Sequence, residues 1–231
     1  LEEVNIVSLE LNDIIYNNLL NHNKCLCLGG DHSISLGTIT GASKAANELS
    51  KNFGVIYIDA HGDLNTMQSS NTQNMHGMTL AASMAIGDYQ MTKIASNPLI
   101  PENLLLVGTR SLDQGEIDLI HKYGIMSIPS DDIIKSIDID ILLSKIYNFI
   151  KSRNINMLHV SLDIDVIDPA EAPGTGVPEA NGISSNIVSS LVNELITKVP
   201  VCSMDFVEYN PFLDIDNKTY NCLLYTSDAA D

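Results

Sequence analysis

An α/β fold, with a largely parallel sheet covered by helices on both faces, is what this 231-residue sequence predicts. Three observations carry the prediction. Several runs of strand length are continuously apolar, as strands buried on both faces require. Longer stretches with helical spacing of their apolar residues alternate with them. The unusual polar residues, rich in Asp and His, come directly after the strands, where open parallel sheets bind their ligands.

Taken in order, residues 9–20 carry a helical pattern. KCLCL (24–28) is a short apolar run stopped by Gly29 and Gly30; it reads as a buried strand, with Cys25 and Cys27 as small apolar filler. Residues 33–49 return to helical spacing, FGVIYI (53–58) is a buried strand, and a helix is expected over about 78–86. NLLLV (103–107), 125–128 and NMLHVSL (156–162) are strands. Between the last two, 138–152 sets Ile141, Leu142, Ile146, Phe149 and Ile150 on one helical face. Ser184 or Ser185 can cap a helix carrying Ile187, Val188, Leu191, Leu195 and Ile196, and PVCSMDF (200–206) is the last strand.

No repeat, long linker or like-charge block divides the chain, so a single α/β domain is expected over residues 1–221. The sequence opens at Leu1 without an initiator Met and is expected to be a fragment, truncated at its N-terminus and at its C-terminus. The end, NKTYNCLLYTSDAAD (217–231), shows little helical amphipathicity and is expected to lack a helix, and its last residues, 222–231, are expected to be foreign to the domain. A cytoplasmic location is expected, with a lost organellar leader left open.

Composition narrows the function classes. With 45% hydrophobic and 18% charged residues the chain is globular rather than disordered. Twelve basic residues against 29 acidic ones give a net charge of −17, which disfavours nucleic acid and anionic membrane as partners. No apolar run approaches the ~20 residues that span a bilayer. Four cysteines without a CxxC pair exclude a disulfide scaffold and give no sign of structural zinc.

The chemistry gathers at four strand ends: Gly29-Gly30-Asp31-His32-Ser33, Asp59-Ala60-His61-Gly62-Asp63, Asp163-Ile164-Asp165, and Glu208-Tyr209-Asn210-Pro211. In extended chain, Asp59, His61 and Asp63 project to one side, as do Asp163 and Asp165. Polar loops of caps and Asx-turns use the same residue types, but three converging strand ends favour a metal site. Six ligands are proposed by this pattern: His32, Asp59, His61, Asp63, Asp163 and Asp165. Their four carboxylates match the charge of two divalent cations. Oxygen-rich donors with some imidazole suit Mn²⁺, with Zn²⁺, Fe²⁺ and Co²⁺ as alternatives. Two metals lower the pKa of a shared water, which is hydrolase chemistry. His76 starts a helix near this loop and is either a packing histidine or a proton shuttle. His159, inside a strand, reads as structural, and His22 and His121 as surface residues. Glu208 is either a loop carboxylate or the group that meets a cationic substrate.

These motifs resemble the ureohydrolases, the binuclear manganese family that includes arginases, agmatinases and formiminoglutamases. GGDHS (29–33), DAHGD (59–63), SLDIDVIDP (161–169) and APGTG (172–176) match its signatures, and the resemblance runs from about residue 25 to 218. It implies a three-layer αβα fold, assembly as a homotrimer or homohexamer, and two Mn²⁺ per subunit. It implies that His32, Asp59, Asp63 and Asp163 hold one ion, that Asp59, His61, Asp163 and Asp165 hold the other, and that a bridging hydroxide attacks a guanidinium carbon. By the same resemblance Asp165 hydrogen-bonds the hydroxide and helps move its proton to the leaving amine, His76 is the proton-shuttling histidine and Glu208 grips the guanidinium. Asn65, Ser70, Thr72 and Asn74 look like residues that read an α-carboxylate, and Asp113 like the reader of an α-amino group. That implies L-arginine as substrate, giving L-ornithine and urea, with agmatine or another guanidino compound as the alternative. A non-catalytic metal-binding or assembly subunit is the other class of reading; no ligand is missing in its favour. Two departures stand out. Val177 replaces a threonine that commonly supports the guanidinium-binding acid, so Glu208 is expected to be looser, and Ser111 stands where many arginases carry Asp.

Overall fold

The computed structural model describes residues 1–136 and 138–227, with side chains through Cys222. Its frame is one six-stranded sheet: β1 (Cys25–Leu28), β2 (Phe53–Ile58), β3 (Leu104–Val107), β4 (Met126–Ile128), β5 (Met157–Asp163) and β6 (Val201–Val207). The order is β1-β6-β5-β2-β3-β4, and every pairing is parallel. All residues of β2, β3 and β5 are buried, which is why β2 and β3 read as unbroken apolar runs, while β5 carries His159 and Ser161 into the interior.

Nine helices are described: α1 (Glu2–Leu20), α2 (Ser35–Glu48), α3 (Thr79–Ser83), α4 (Tyr89–Thr92), α5 (Gln114–Tyr123), α6 (Ser130–Ser136), α7 (Ile139–Ser152), α8 (Ser185–Lys198) and α9 (Lys218–Ser227). They form the outer layers. Val55 and Tyr57 of β2 pack with Ile15 and Leu19 of α1 and Ile39 and Ala42 of α2. Ile56 and Ile58, on the other face, pack with Ile146 and Phe149 of α7 and Leu191 and Leu195 of α8. The period-2 alternation of β2 therefore feeds two cores and fixes the three-layer order. Leu195 is fully buried. Leu195→Ala is expected to destabilise the fold by ~2–5 kcal/mol through a cavity, read as a lowered midpoint in urea unfolding followed by circular dichroism.

The structure changes several expectations. Helix α1 begins at Glu2, seven residues before the apolar pattern starts, because its inner face is small and polar there: Asn5, Ser8 and Asn12 are buried. Gly37 and Gly41 of α2 let the two helices meet, since a Cβ at either would fall within 2.7 Å of Ser8 O or Asn12 O. Asn12 donates to Thr40 Oγ1 across the contact at 2.8 Å. Among the described strands β1 lies at the edge of the sheet rather than buried within it: Cys25 and Cys27 turn toward the α1–α2 core, while Leu26 and Leu28 are 65% and 79% exposed. The end of the chain, expected to lack a helix, forms α9, and Thr219 Oγ1 accepts from Gly174 N–H at 2.7 Å. The expectation for 222–231 lies largely outside the described residues. No helix among the described residues is long and apolar enough to cross a membrane.

Candidate functional site

The carboxyl ends of β1, β2, β5 and β6 are neighbours in the sheet, so their loops meet at one rim. After β1, Asp31 caps a 3-10 turn (His32–Ile34) by accepting from Ser33 N–H, and the turn carries His32 inward until it is 1% exposed. After β2 the chain bends. Asp59 accepts from the N–H of His61 at 2.6 Å, and Asp63 sits at φ 48°. The convergence of Asp59, His61 and Asp63 thus comes from a turn, not from the extended alternation expected. After β5, Asp163 accepts from Asp165 N–H at 2.8 Å, and Asp165 accepts from Ala60 N–H at 3.1 Å.

All six predicted ligands come together. His32 Nδ1 lies 3.0 Å from Asp59 Oδ2, 3.1 Å from Asp163 Oδ2 and 3.3 Å from Asp63 Oδ2. His61 Nδ1 lies 2.9 Å from Asp165 Oδ2 and 3.4 Å from Asp59 Oδ1. Two sets, His32–Asp59–Asp163 and Asp59–His61–Asp165, each hold three donor atoms within 4.8 Å of one another, and Asp59 belongs to both. No backbone N–H or hydroxyl among the described residues donates to the enclosed Asp59 Oδ2, which faces the ring nitrogen of His32, itself a candidate ligand, at 3.0 Å. A buried acceptor left open among carboxylates is what a cation would satisfy, so the donor set fits a metal.

The electrostatics agree. Burial, then the charges of Asp59 and Asp165, push Asp163 well above the usual carboxylate range, and burial and Asp59 do the same to Asp63. Asp165 is raised by burial and by Asp59. Burial opposes ionisation of Asp59 too, but hydrogen bonds from His32 and His61 outweigh it and hold Asp59 low. Burial would keep His61 neutral, yet its contacts with Asp165 and Asp59 push it up to about 12. Three crowded acids thus hold protons more readily than free carboxylates do, and a cation bound among them would favour their ionised forms.

A cavity of about 250 Å³ opens above this cluster. It is lined by His61, Asp63, Asp163 and Asp165 below, and by Asn65, Ser70, Thr72, Asn74, His76, Asp113 and Glu208 around it. Every substrate-contact candidate therefore reaches one pocket. Their availability differs. Asn65 is buried, with its amide donating to Asp113 Oδ2 at 2.9 Å and accepting from Ser69 Oγ at 2.9 Å. It braces Asp113 rather than offering a free donor. Ser70 Oγ and Thr72 Oγ1 accept from Gln73 N–H and Asn74 N–H, which leaves both hydroxyl protons to donate. Glu208 is not loose despite Val177. At φ 65° its N–H donates to Gly30 O at 2.6 Å, and its Oε1 accepts from His32 N–H at 2.8 Å. His76 Nδ1 lies 3.8 Å from Glu208 Oε1.

Several supporting residues were missed from sequence. Tyr57 stacks on His32 with ring centroids 4.6 Å apart and donates to Asp63 Oδ2 at 2.6 Å. Glu116 completes a capping box with Asp113 at the start of α5 and also accepts from Leu64 N–H. Arg110 donates to the carbonyls of Asp165 and Glu179, tying the β5 loop to the segment that follows APGTG. Ser111 donates to Glu179 Oε1 at 3.1 Å, and that oxygen is 3.5 Å from His61 Nε2. Thr175 Oγ1 lines the pocket with no partner among the described residues.

A family model described as the arginase family matches residues 3–225. This chain belongs to the arginase family. The arginase of Staphylococcus aureus (strain MRSA252) is 38% identical over 218 residues, covering 94% of this chain and 70% of that protein. The arginase of Brevibacillus brevis is 43% identical over 196 residues, covering 84% of this chain and 64% of that one. Among solved structures, Entamoeba histolytica arginase in complex with L-ornithine superposes with a TM-score of 0.92 at 34% identity, covering 99% of this chain and 76% of its own. Bacillus cereus arginase superposes with 0.91 at 33%, covering 99% and 77%. The chain is a hydrolase of amidine carbon–nitrogen bonds, in a family that depends on metal, and its Asp/His clusters could bind one.

Proposed function

We propose that this chain is a two-manganese arginase that hydrolyses L-arginine to L-ornithine and urea. The observation that carries the reading is the single pocket with the Asp/His cluster at its floor and the polar Ser70–Thr72–Asn74 loop along its wall. The L-ornithine bound to the Entamoeba histolytica relative has the chemistry this pocket would release. His32, Asp59, Asp63 and Asp163 would hold one ion. Asp59, His61, Asp163 and Asp165 would hold the other, and oxygen donors with imidazole favour Mn²⁺ over thiolate-seeking metals. When bound, the ions supply the Lewis acidity that lets water lose a proton near neutral pH.

The chain's own residues do the rest. Glu208, fixed at both its N–H and its carboxylate, grips the guanidinium and turns its carbon toward the cluster. Asp165, 3% exposed, takes the proton of the attacking hydroxyl and passes it to the chain nitrogen. The bond from the guanidinium carbon to that nitrogen breaks, the oxygen stays with urea as its carbonyl, and His76 delivers the second proton that makes the released amine an ammonium. His76 is partly exposed at the pocket wall, so it exchanges that proton with solvent. Asp113, braced by Asn65, faces the α-amino group, and the Ser70 and Thr72 hydroxyls face the α-carboxylate.

The deciding assay measures urea from L-arginine and from agmatine side by side, using Mn²⁺-loaded protein. Urea from arginine, with agmatine far slower, is expected. Urea from agmatine alone would retire the carboxylate-reading loop, and urea from neither would retire the reading itself. A pH dependence is also expected. The raised pKa values of Asp63 and Asp163 stabilise the metal-free chain below the ordinary carboxylate pKa, near 3.8, and that stabilisation is lost as pH rises through the raised values. Mn²⁺ takes the place of those protons. The rise in melting temperature on adding MnCl₂ should therefore grow as pH is raised toward neutrality.

A further inference from the structure

Beneath the cluster, one face of the sheet stays polar all the way into the interior. His159 pairs in register with Ser203, and Ser161 with Asp205, across β5 and β6. All four are at most 2% exposed. Their side chains form one connected line: His32 Nε2 to Ser161 Oγ at 2.8 Å, Ser161 Oγ to Asp205 Oδ1 at 2.5 Å, Asp205 Oδ2 to His159 Nε2 at 3.1 Å, and His159 Nδ1 to Ser203 Oγ at 2.8 Å. Thr38 of α2 also donates to Asp205 Oδ2. Burial would raise the Asp205 carboxyl, but the charge and hydrogen bond of His159 outweigh it and keep Asp205 below its ordinary range.

Proton accounting along this line has one solution. An ionised carboxylate only accepts, so Ser161 gives its single proton to Asp205. Ser161 Oγ can then only accept from His32, which requires hydrogen on His32 Nε2. The nitrogen whose lone pair is left for a cation is Nδ1, the atom that faces Asp59, Asp63 and Asp163. We propose that Asp205, acting through Ser161, is a positioning residue that fixes the His32 ring with Nε2 as donor and Nδ1 turned to the metal site. The inference rests on the two-manganese reading. It goes beyond the predicted ligands, because Asp205 touches none of them. A carboxylate this deep is expensive to bury unless paired, and an apolar side chain would fill the space without ordering a proton.

The test is Mn²⁺ binding to the full chain, measured by calorimetry with chelator competition. In Asp205→Asn the side-chain amide can donate to Ser161 and turn the serine proton toward His32 Nε2. One of the two Mn²⁺ sites should weaken by ~10–100-fold, as loss of an outer partner of a metal histidine does, while the other holds. Ser161→Ala should do the same, and it decides the matter if Asp205→Asn does not fold. Thr38→Val removes another donor from the same carboxylate without touching the line, and Mn²⁺ affinity should be unchanged. In Zn²⁺-loaded, ¹⁵N-histidine-labelled protein, His32 should show hydrogen on Nε2, and this signature should change in Asp205→Asn. Two intact sites in both Asp205→Asn and Ser161→Ala would overturn the inference and leave the metal reading standing. So would equal losses in Thr38→Val, which would reduce Asp205 to packing. A wild-type chain that binds no Mn²⁺ would overturn the metal reading and the inference with it.

Discussion

Asp59→Ala should remove both metal ions at once and lower urea release from L-arginine by more than ~100-fold. The expectation follows from position. Asp59 belongs to both compact donor clusters, with one oxygen toward His32 and the other toward His61, whereas Asp163, the other ligand proposed for both ions, belongs to the His32 cluster alone. It is also the acid held below the ordinary carboxylate range while its neighbours are raised above it, because both histidines bear on it. Losing it takes one donor from each set and leaves both rings facing acids that favour their protonated forms. Asp165→Ala, by contrast, strips only the set that contains His61, so one ion should remain bound. Metal content per folded chain, from elemental analysis after gel filtration, separates the two variants. An Asp59→Ala protein that is folded by circular dichroism and still carries two ions would refute the shared-ligand arrangement.

The ligands could be read from sequence because parallel sheets put short polar motifs at strand ends, and strands buried on both faces announce themselves as apolar runs. The residues that organise those ligands were harder to read for the same reason. Asp205, Ser161 and Ser203 lie within apolar runs, and nothing in a period-2 pattern separates a polar relay from an occasional tolerated serine. Tyr57 looks like any aromatic core residue until its hydroxyl is seen on Asp63. Helix α5 was readable in principle: Asp113 and Glu116 have capping-box spacing, and Gly124 closes the helix at φ 62°. Its core face is too narrow to stand out by periodicity, so the apolar pattern alone predicts no helix there. The exposed leucines of β1 could not be foreseen, because edge and centre of a sheet are set by strand order, which composition does not encode.

Substrate choice is where the site makes its other large commitment. Ser70 and Thr72 each have one hydroxyl proton left after their loop hydrogen bonds, and both line the pocket with Asn74. A site built from such donors leaves them unpaired when an analogue lacks the acceptor, and discrimination of this kind reaches ~10⁴-fold. Agmatine lacks only the carboxylate of arginine, so kcat/KM for arginine should exceed that for agmatine by about that factor. Thr72→Val should lower the arginine value by roughly 10–100-fold, the worth of one hydrogen bond to a charged group. The agmatine value should hold, because the guanidinium grip of Glu208 and the cluster beneath it are untouched. A collapsed loop would slow both substrates together, whereas a lost carboxylate contact slows arginine alone. The ratio of the two, measured on the same Mn²⁺-loaded preparation, therefore reports the contact itself. An unchanged ratio would mean that the carboxylate is read elsewhere on the pocket wall.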